Sequence, residues 1–264
     1  MGFSHARAIA WTLCVTLALS FSILASQRLF PQYASSLLLG GALEGVLYAG
    51  AAVWLVQGSS GQEPLGTALG LRAERAPWML LPAAALLGVV LHGPVDGLQS
   101  WIETWAPSPP GELAERLRRL SPDSTRERLL LLGVAGLVAP FVEELFFRGA
   151  LFRRLVASDN VRATVVTTSV CFTVSHAEPR IWPALGIVAV VLGVLRAWSV
   201  GIWPCFLLHA TFNATTLAVA FSRPSSELVE PAPAFYSVLV GSALAGGLLF
   251  LIQRKLANSR SRSG

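Results

Sequence analysis

Uncharged or nearly uncharged stretches of about 17 to 25 residues recur along the whole chain, each long enough to cross a hydrocarbon core of roughly 30 Å. Eight can be marked, at residues 8–26, 35–56, 77–98, 129–152, 162–178, 181–199, 201–222 and 234–252. No water reaches backbone N–H and C=O groups at that depth, so spanning segments must be helices or a closed barrel. A barrel needs apolar and polar residues to alternate, and these runs are uniformly apolar. The expected fold is therefore all-α, a polytopic membrane helix bundle of about eight transmembrane helices. Proportions agree, since 53% of the 264 residues are hydrophobic and 13% are charged, far from the usage of soluble domains.

Charge then reads as topology. The net charge of +5 is almost wholly arginine, Lys255 being the only lysine. It flanks the apolar runs instead of forming a basic face, which argues against nucleic acid as a partner. Arg7, Arg72, Arg75, Arg153, Arg154, Arg162, Arg196 and the tail Arg254, Lys255, Arg260 and Arg262 fall on one side of an eight-span arrangement. That side, with both termini, is expected to be cytoplasmic. The arginine bias suggests a bacterial inner (plasma) membrane. The exception is the stretch 99–128, where Arg116, Arg118, Arg119, Arg126 and Arg128 intersperse with Glu112, Glu115, Asp123 and Glu127. Within it, Glu112 to Arg128 reads either as an amphipathic interfacial helix or as a solvated loop. Cys14, Cys171 and Cys205 all sit in apolar runs and give no disulfide framework. Arg7 followed by an apolar run to Ala25 has features of a signal peptide, but its length and poor cleavage site favour a retained anchor.

Ionisable residues at bilayer depth cost at least about 2.5 to 3.5 kcal/mol each on insertion scales, so they mark functional sites by default. The fourth span carries Phe141-Val142-Glu143-Glu144-Leu145-Phe146-Phe147-Arg148. Glu144 and Arg148, four apart, share a helical face and can pair. Glu143 is turned about 100° from them, without that partner. An unpaired carboxylate in apolar surroundings is the kind of group a general base near neutral pH requires. The plainer reading of the three is a structural ion network.

The fifth span ends at Ser175-His176, and the seventh contains His209 and Asn213 on one face. At 1.5 Å per residue from the flanking charges and span starts, Glu143, His176, His209 and Asn213 fall roughly 15, 21, 12 and 18 Å from the inner boundary. Matched depth makes them one site. Hydrolysis by water fits such a set: a carboxylate takes the proton, and donors stabilise the oxyanion on the scissile carbonyl. Glu143 with His176 would activate the water, His209 and Asn213 would face the oxyanion, and Arg148 would hold Glu144 ionised and in place.

At these residues the chain resembles the CPBP intramembrane protease family, which includes type II CAAX prenyl endopeptidases and bacteriocin-processing or self-immunity proteins. Glu-Glu-x-x-x-Arg reads Glu143, Glu144 and Arg148, Phe-x-x-x-His reads Phe172 and His176, and His-x-x-x-Asn/Asp reads His209 and Asn213. The resemblance covers about residues 129–216. It implies cleavage near the C-terminus of a membrane-associated substrate, which is a prenylated tail, a peptide or a sorting segment in different relatives. Together with the apolar runs on either side, it divides the chain into N-terminal scaffold spans and interfacial segment (1–128), catalytic core (129–222), and last span with a basic cytoplasmic tail (223–264). Members are described both as zinc enzymes and as metal-free glutamate enzymes. Glu143, His176 and His209 would be the zinc ligands, with one position left for water, but direct activation by Glu143 is the favoured reading.

Three rival readings use the same spans. Cys205, His209 and Asn213 at four-residue spacing suggest a cysteine nucleophile with a histidine base, which leaves Glu143, Glu144 and His176 unexplained. Glu44 in the second span and His92 with Asp96 in the third would suit an ion-coupled transporter or channel; capping or bridging of helices is the simpler reading, above all for His92 and Asp96. A family member that has lost catalysis would serve as a binding or immunity scaffold.

Overall fold

The computed structural model describes residues 3–30, 37–58, 63–72, 80–112, 120, 122–199, 201–222 and 235–261. Its elements, in order, are α1 (His5–Leu29), α2 (Leu37–Gln57), α3 (Leu65–Ala68), α4 (Leu80–Val90), α5 (His92–Trp105), α6 (Thr125–Val156), α7 (Val161–Ser175), α8 (Trp182–Trp198), α9 (Trp203–Ser222) and α10 (Phe235–Ser261). Helix α4 runs through Leu91 into α5 as one apolar span, Leu80–Trp105. No strand occurs among the described residues. The molecule is an all-α membrane bundle.

Six helices among the described residues are long and apolar enough to cross a bilayer: α1, α2, α4 with α5, α6, α9 and α10. The other two expected spans are shorter. Helix α7 has 15 residues and α8 has 17, or roughly 22 and 26 Å. The apolar run at 162–178 does not stay helical to its end, because Ala177 turns left-handed at φ 51° and Pro179 has no N–H with which to continue the ladder. The third span is longer than its apolar core: α5 continues to Trp105, where Trp101 and Trp105 are exposed, as side chains at a membrane interface are. Of the Glu112–Arg128 stretch, residues 113–119 and 121 lie outside the described residues. Ser124 caps α6, so Thr125 to Arg128 form its first turn.

Large apolar side chains such as Leu17, Phe21, Val46, Trp54 and Phe250 point outward. On a soluble protein such surface would drive association; here lipid covers it. Between helices, lipid supplies no hydrophobic drive, so close packing and interhelical hydrogen bonds do the work. A Cβ on Gly88 of α4 would collide with Thr211 and the Leu208 carbonyl of α9. In the same seam Thr211 Oγ1 donates to the Ala85 carbonyl at 2.9 Å. His92 Nε2 lies 3.1 Å from the Phe212 carbonyl, its ring stacked on Phe212 at 4.3 Å. His92 thus bridges two helices. Where α5 crosses α10, Gly93 and Gly241 meet so closely that a Cβ on either would run into the other's Cα.

One end of the bundle carries its own group of polar ties. Ser158 Oγ donates to the Phe3 carbonyl at 2.6 Å, and Arg153 pairs with Glu63 and donates to the Thr67 carbonyl. His5 pairs with Asp159 and holds that carboxyl below the usual range, chiefly by hydrogen bonding. Arg153, Arg154 and Arg196 lie at this end, though Arg196 is partly buried and donates to the Arg148 carbonyl at 2.8 Å, so it is no free flanking charge.

Enlarging Gly88 tests the seam between α4 and α9. Gly88→Leu should destabilise by about 1–3 kcal/mol or more, read as a lower melting temperature and a broadened size-exclusion peak in detergent, whereas Gly186→Ala, with open space around its Cβ position, should behave as wild type.

Candidate active site

Helix α6 is irregular where its charges lie. Two π-turn segments, Val134–Val138 and Leu145–Leu151, flank a short α-helical stretch, Ala139–Glu144. Such bulges recur at functional sites because they re-aim side chains within a helix. The first has a local cause. Ala139 N–H donates to the Val134 carbonyl, and the next residue, Pro140, has no N–H to give. The Ala135 carbonyl is therefore left without a partner in its own helix, and a buried orphan carbonyl is costly. Asn213 of α9 satisfies it, Nδ2 to oxygen at 2.8 Å. One amide hydrogen of Asn213 is thus committed to holding α9 against α6.

Downstream of Pro140 come the carboxylates. Glu143 is 8% exposed, and Glu144 and Arg148 are 0% exposed. Arg148 Nη1 lies 3.2 Å from Glu144 Oε1. Its Nη2 donates to the Ala189 carbonyl of α8 at 3.1 Å, an oxygen that Ser169 of α7 also reaches at 3.0 Å. The guanidinium carbon stands 4.5 Å from the centre of the Phe172 ring, a cation–π contact strengthened by desolvation. Glu144 Oε1 also receives His209, whose Nδ1 is 3.0 Å away. The other nitrogen of the same ring, Nε2, lies 3.7 Å from Glu143 Oε2. One imidazole is thereby placed between two neighbouring carboxylates although they point to different sides of their helix.

His176 caps α7 with its Nδ1 2.9 Å from the Phe172 carbonyl. A carbonyl only accepts, so Nδ1 carries the proton and, in the neutral ring, Nε2 keeps its lone pair. Phe172 separates the two imidazoles, 4.9 Å from His176 and 5.5 Å from His209. The structure thus brings Glu143, Glu144, Arg148 and His209 into direct contact and sets His176 beside them across Phe172. Asn213 joins through the α6 backbone. Cys205 is buried, but its Sγ is 3.5 Å from the Leu192 carbonyl, and His209 Nδ1 is already taken by Glu144, so no cysteine–histidine pair forms.

One residue that the sequence left as a side feature is part of the cluster. Glu44 of α2 lies beside Glu143, close enough for the two carboxyl groups to interact. Four residues on, Tyr48 packs edge-on against Phe146 at 5.4 Å, and its hydroxyl faces Ser175. The available signal was a lone acid in an apolar run, without a motif around it.

As to zinc, the described residues contain no group of three or more His, Cys, Asp or Glu side chains that could hold a metal ion. Glu143, His176 and His209 are therefore not arranged as the three-ligand set the sequence suggested, and no step below runs through a metal.

The bundle and this cluster define a polytopic membrane protein with an acid–imidazole site inside the helices. Residues 125–215 match the family model described as type II CAAX prenyl endopeptidase Rce1-like. The matched segment runs from the start of α6 into α9 and carries every motif residue from Glu143 to Asn213, but not Glu44. At the level of family, the match supports a CAAX-type intramembrane protease, with protease activity in general. No curated protein and no solved structure matches the chain.

Two substitutions test the frame of the site. Arg148→Ala leaves Glu144 buried without its cation and should cost about 3–5 kcal/mol, measured by denaturant titration in micelles. Ala177→Gly should do the opposite. A left-handed non-glycine residue costs roughly 1–2 kcal/mol, and glycine's added freedom in the unfolded chain takes back about half of that, for a net gain of about 0.5–1 kcal/mol in the same titration.

Proposed function

We propose that the protein is an intramembrane endopeptidase that cleaves a peptide bond near the C-terminus of a membrane-associated substrate, with water activated by Glu143. The observation that carries this reading is the His209 ring held between Glu143 and Glu144, inside the segment that matches the Rce1-like family. Prenylated tails and C-terminal sorting segments are the substrate classes, reached within a bacterial plasma membrane whose cytoplasmic face is the arginine-rich end of the bundle.

The two acids have different tasks. Glu144, committed to Arg148 and His209, accepts from the ring and fixes its proton on Nδ1. Glu143, free of the arginine, takes the proton of the attacking water as a new C–O bond forms at the scissile carbonyl. It then delivers that proton to the leaving amine, as a general base that returns as a general acid. The lone pair on His176 Nε2 offers the water a second acceptor. The oxyanion is met by His209 Nε2, when protonated, and by the second amide hydrogen of Asn213. One such donor is worth roughly 2.7–4 kcal/mol in a site that excludes water.

The test uses wild type, Glu143→Gln, Glu143→Ala, His176→Ala and His209→Ala in proteoliposomes. Substrates are farnesylated and unmodified C-terminal tail peptides and the tails of co-encoded membrane proteins, followed by mass spectrometry. Glu143→Gln should lose about 10²- to 10⁴-fold in turnover while keeping the wild-type melting temperature within a few degrees. Equal cleavage by wild type and Glu143→Gln would overturn the assignment. Turnover that survives exhaustive chelation would agree with direct activation, and turnover that zinc restores would not.

A further inference from the structure

The second span is not only scaffold. Gly41, Glu44 and Tyr48 lie at i, i+3 and i+7 on α2, on one helical face. The two outer members are in contact with α6: a Cβ on Gly41 would collide with Val134, and the Tyr48 ring packs against Phe146 at 5.4 Å and Phe147 at 5.7 Å. Glu44 is thus held between these two contacts, facing the part of α6 that carries Glu143. Its carboxyl neighbours that of Glu143 there and interacts electrostatically with His176 and His209. The family match begins at residue 125, so neither that motif set nor its chemistry includes Glu44.

We infer that Glu44, held against α6 by the contacts of Gly41 and Tyr48, is a positioning residue for Glu143: a hydrogen bond donated by its carboxyl sets the direction in which the Glu143 carboxyl faces His209 and His176. The inference rests on the proposed role of Glu143 for its catalytic consequence, but the contact stands without it. Glu143 needs such a partner because Arg148 is committed to Glu144 and the nearest imidazole nitrogen, His209 Nε2, is 3.7 Å away, beyond a normal hydrogen bond. A side chain with no short partner would rotate, and misplacement of a reacting group by about 1 Å can cost 10²-fold in rate. Glu44 acts through Glu143 and touches no reacting atom. Tyr48, one turn further on, holds α2 at the correct height by its ring contacts.

Two readouts test this. The first is a double-mutant cycle in melting temperature with Glu44→Gln, Glu143→Gln, Glu44→Ala, Glu143→Ala and the corresponding double variants, which needs no substrate. Coupling is expected: the shift of Glu44→Ala should largely vanish in the Glu143→Ala background. Additive shifts would overturn the contact, whatever the activity of the protein. The second is kinetic, on any tail peptide that wild type cleaves. Glu44→Ala should lower kcat about 10- to 100-fold with KM within about twofold. Glu44→Gln, whose amide still donates to Glu143, should restore most of the turnover. Wild-type kcat in Glu44→Ala, or equal losses in Ala and Gln, would overturn the positioning role. Wild type that cleaves nothing would count against the proposed function while leaving the melting cycle to decide the Glu44–Glu143 contact.

Discussion

Arg148 is a full positive charge with no exposed surface, in the middle of a bundle meant for lipid. A buried cation persists only when partners around it offset its lost hydration, because the desolvation cost is several kcal/mol even after relaxation. Glu144 lies before its Nη1, the Ala189 carbonyl before its Nη2 and the face of Phe172 under its plane, while its own backbone carbonyl is taken by Arg196. Those partners belong to α6, α7 and α8, and Glu144 in turn reaches α9 through His209. Satisfying one charge therefore fixes the mutual placement of four helices.

The same scarcity of water shapes the backbone. Pro140 removes an N–H from the middle of α6, a π-turn absorbs the mismatch, and the Ala135 carbonyl it leaves is claimed by Asn213. A defect in one helix becomes a tie to another. The end of α7 is similar: Ala177 stops the helix in a left-handed turn, which leaves His176 at a helix terminus, in reach of the cluster and not inside a continuous span. In both places an irregularity that weakens a helix locally puts a polar side chain where the site needs it.

The two adjacent glutamates gain unlike roles from unlike neighbours. Glu144 meets a guanidinium and an imidazole, both at Oε1, so it is suited to hold and orient. Glu143 sits at 3.7 Å from the other side of that imidazole, with Glu44 as its neighbour on α2, so it keeps capacity for a proton in transit. The difference follows from helical geometry. Arg148 lies one turn below Glu144, and Glu143 turns toward α2 instead.

What the sequence determined by itself was the class of solvent, the all-helical answer to it and the motif residues of the matched segment. Lipid leaves the backbone few options, and ionisable and strongly polar residues are rare at that depth, so Glu143, Glu144, Arg148, His176, His209 and Asn213 were legible as outliers. Span count was legible only approximately, since apolar length says nothing of where a left-handed residue or a proline ends a helix, as at Ala177 and Pro179. Within the site only the Glu144–Arg148 pair was legible, from its four-residue spacing. Depth along a helix axis is a sum of 1.5 Å steps that sequence supplies, but which nitrogen of His209 meets which carboxylate, and that Asn213 spends a hydrogen on Ala135, depends on helix rotation and on hydrogen-bond deficits that exist only once the helices are packed. Glu44 shows the limit most clearly. A single acid in an apolar run has no pattern to identify it, and only the crossing of α2 over α6 turns it toward Glu143.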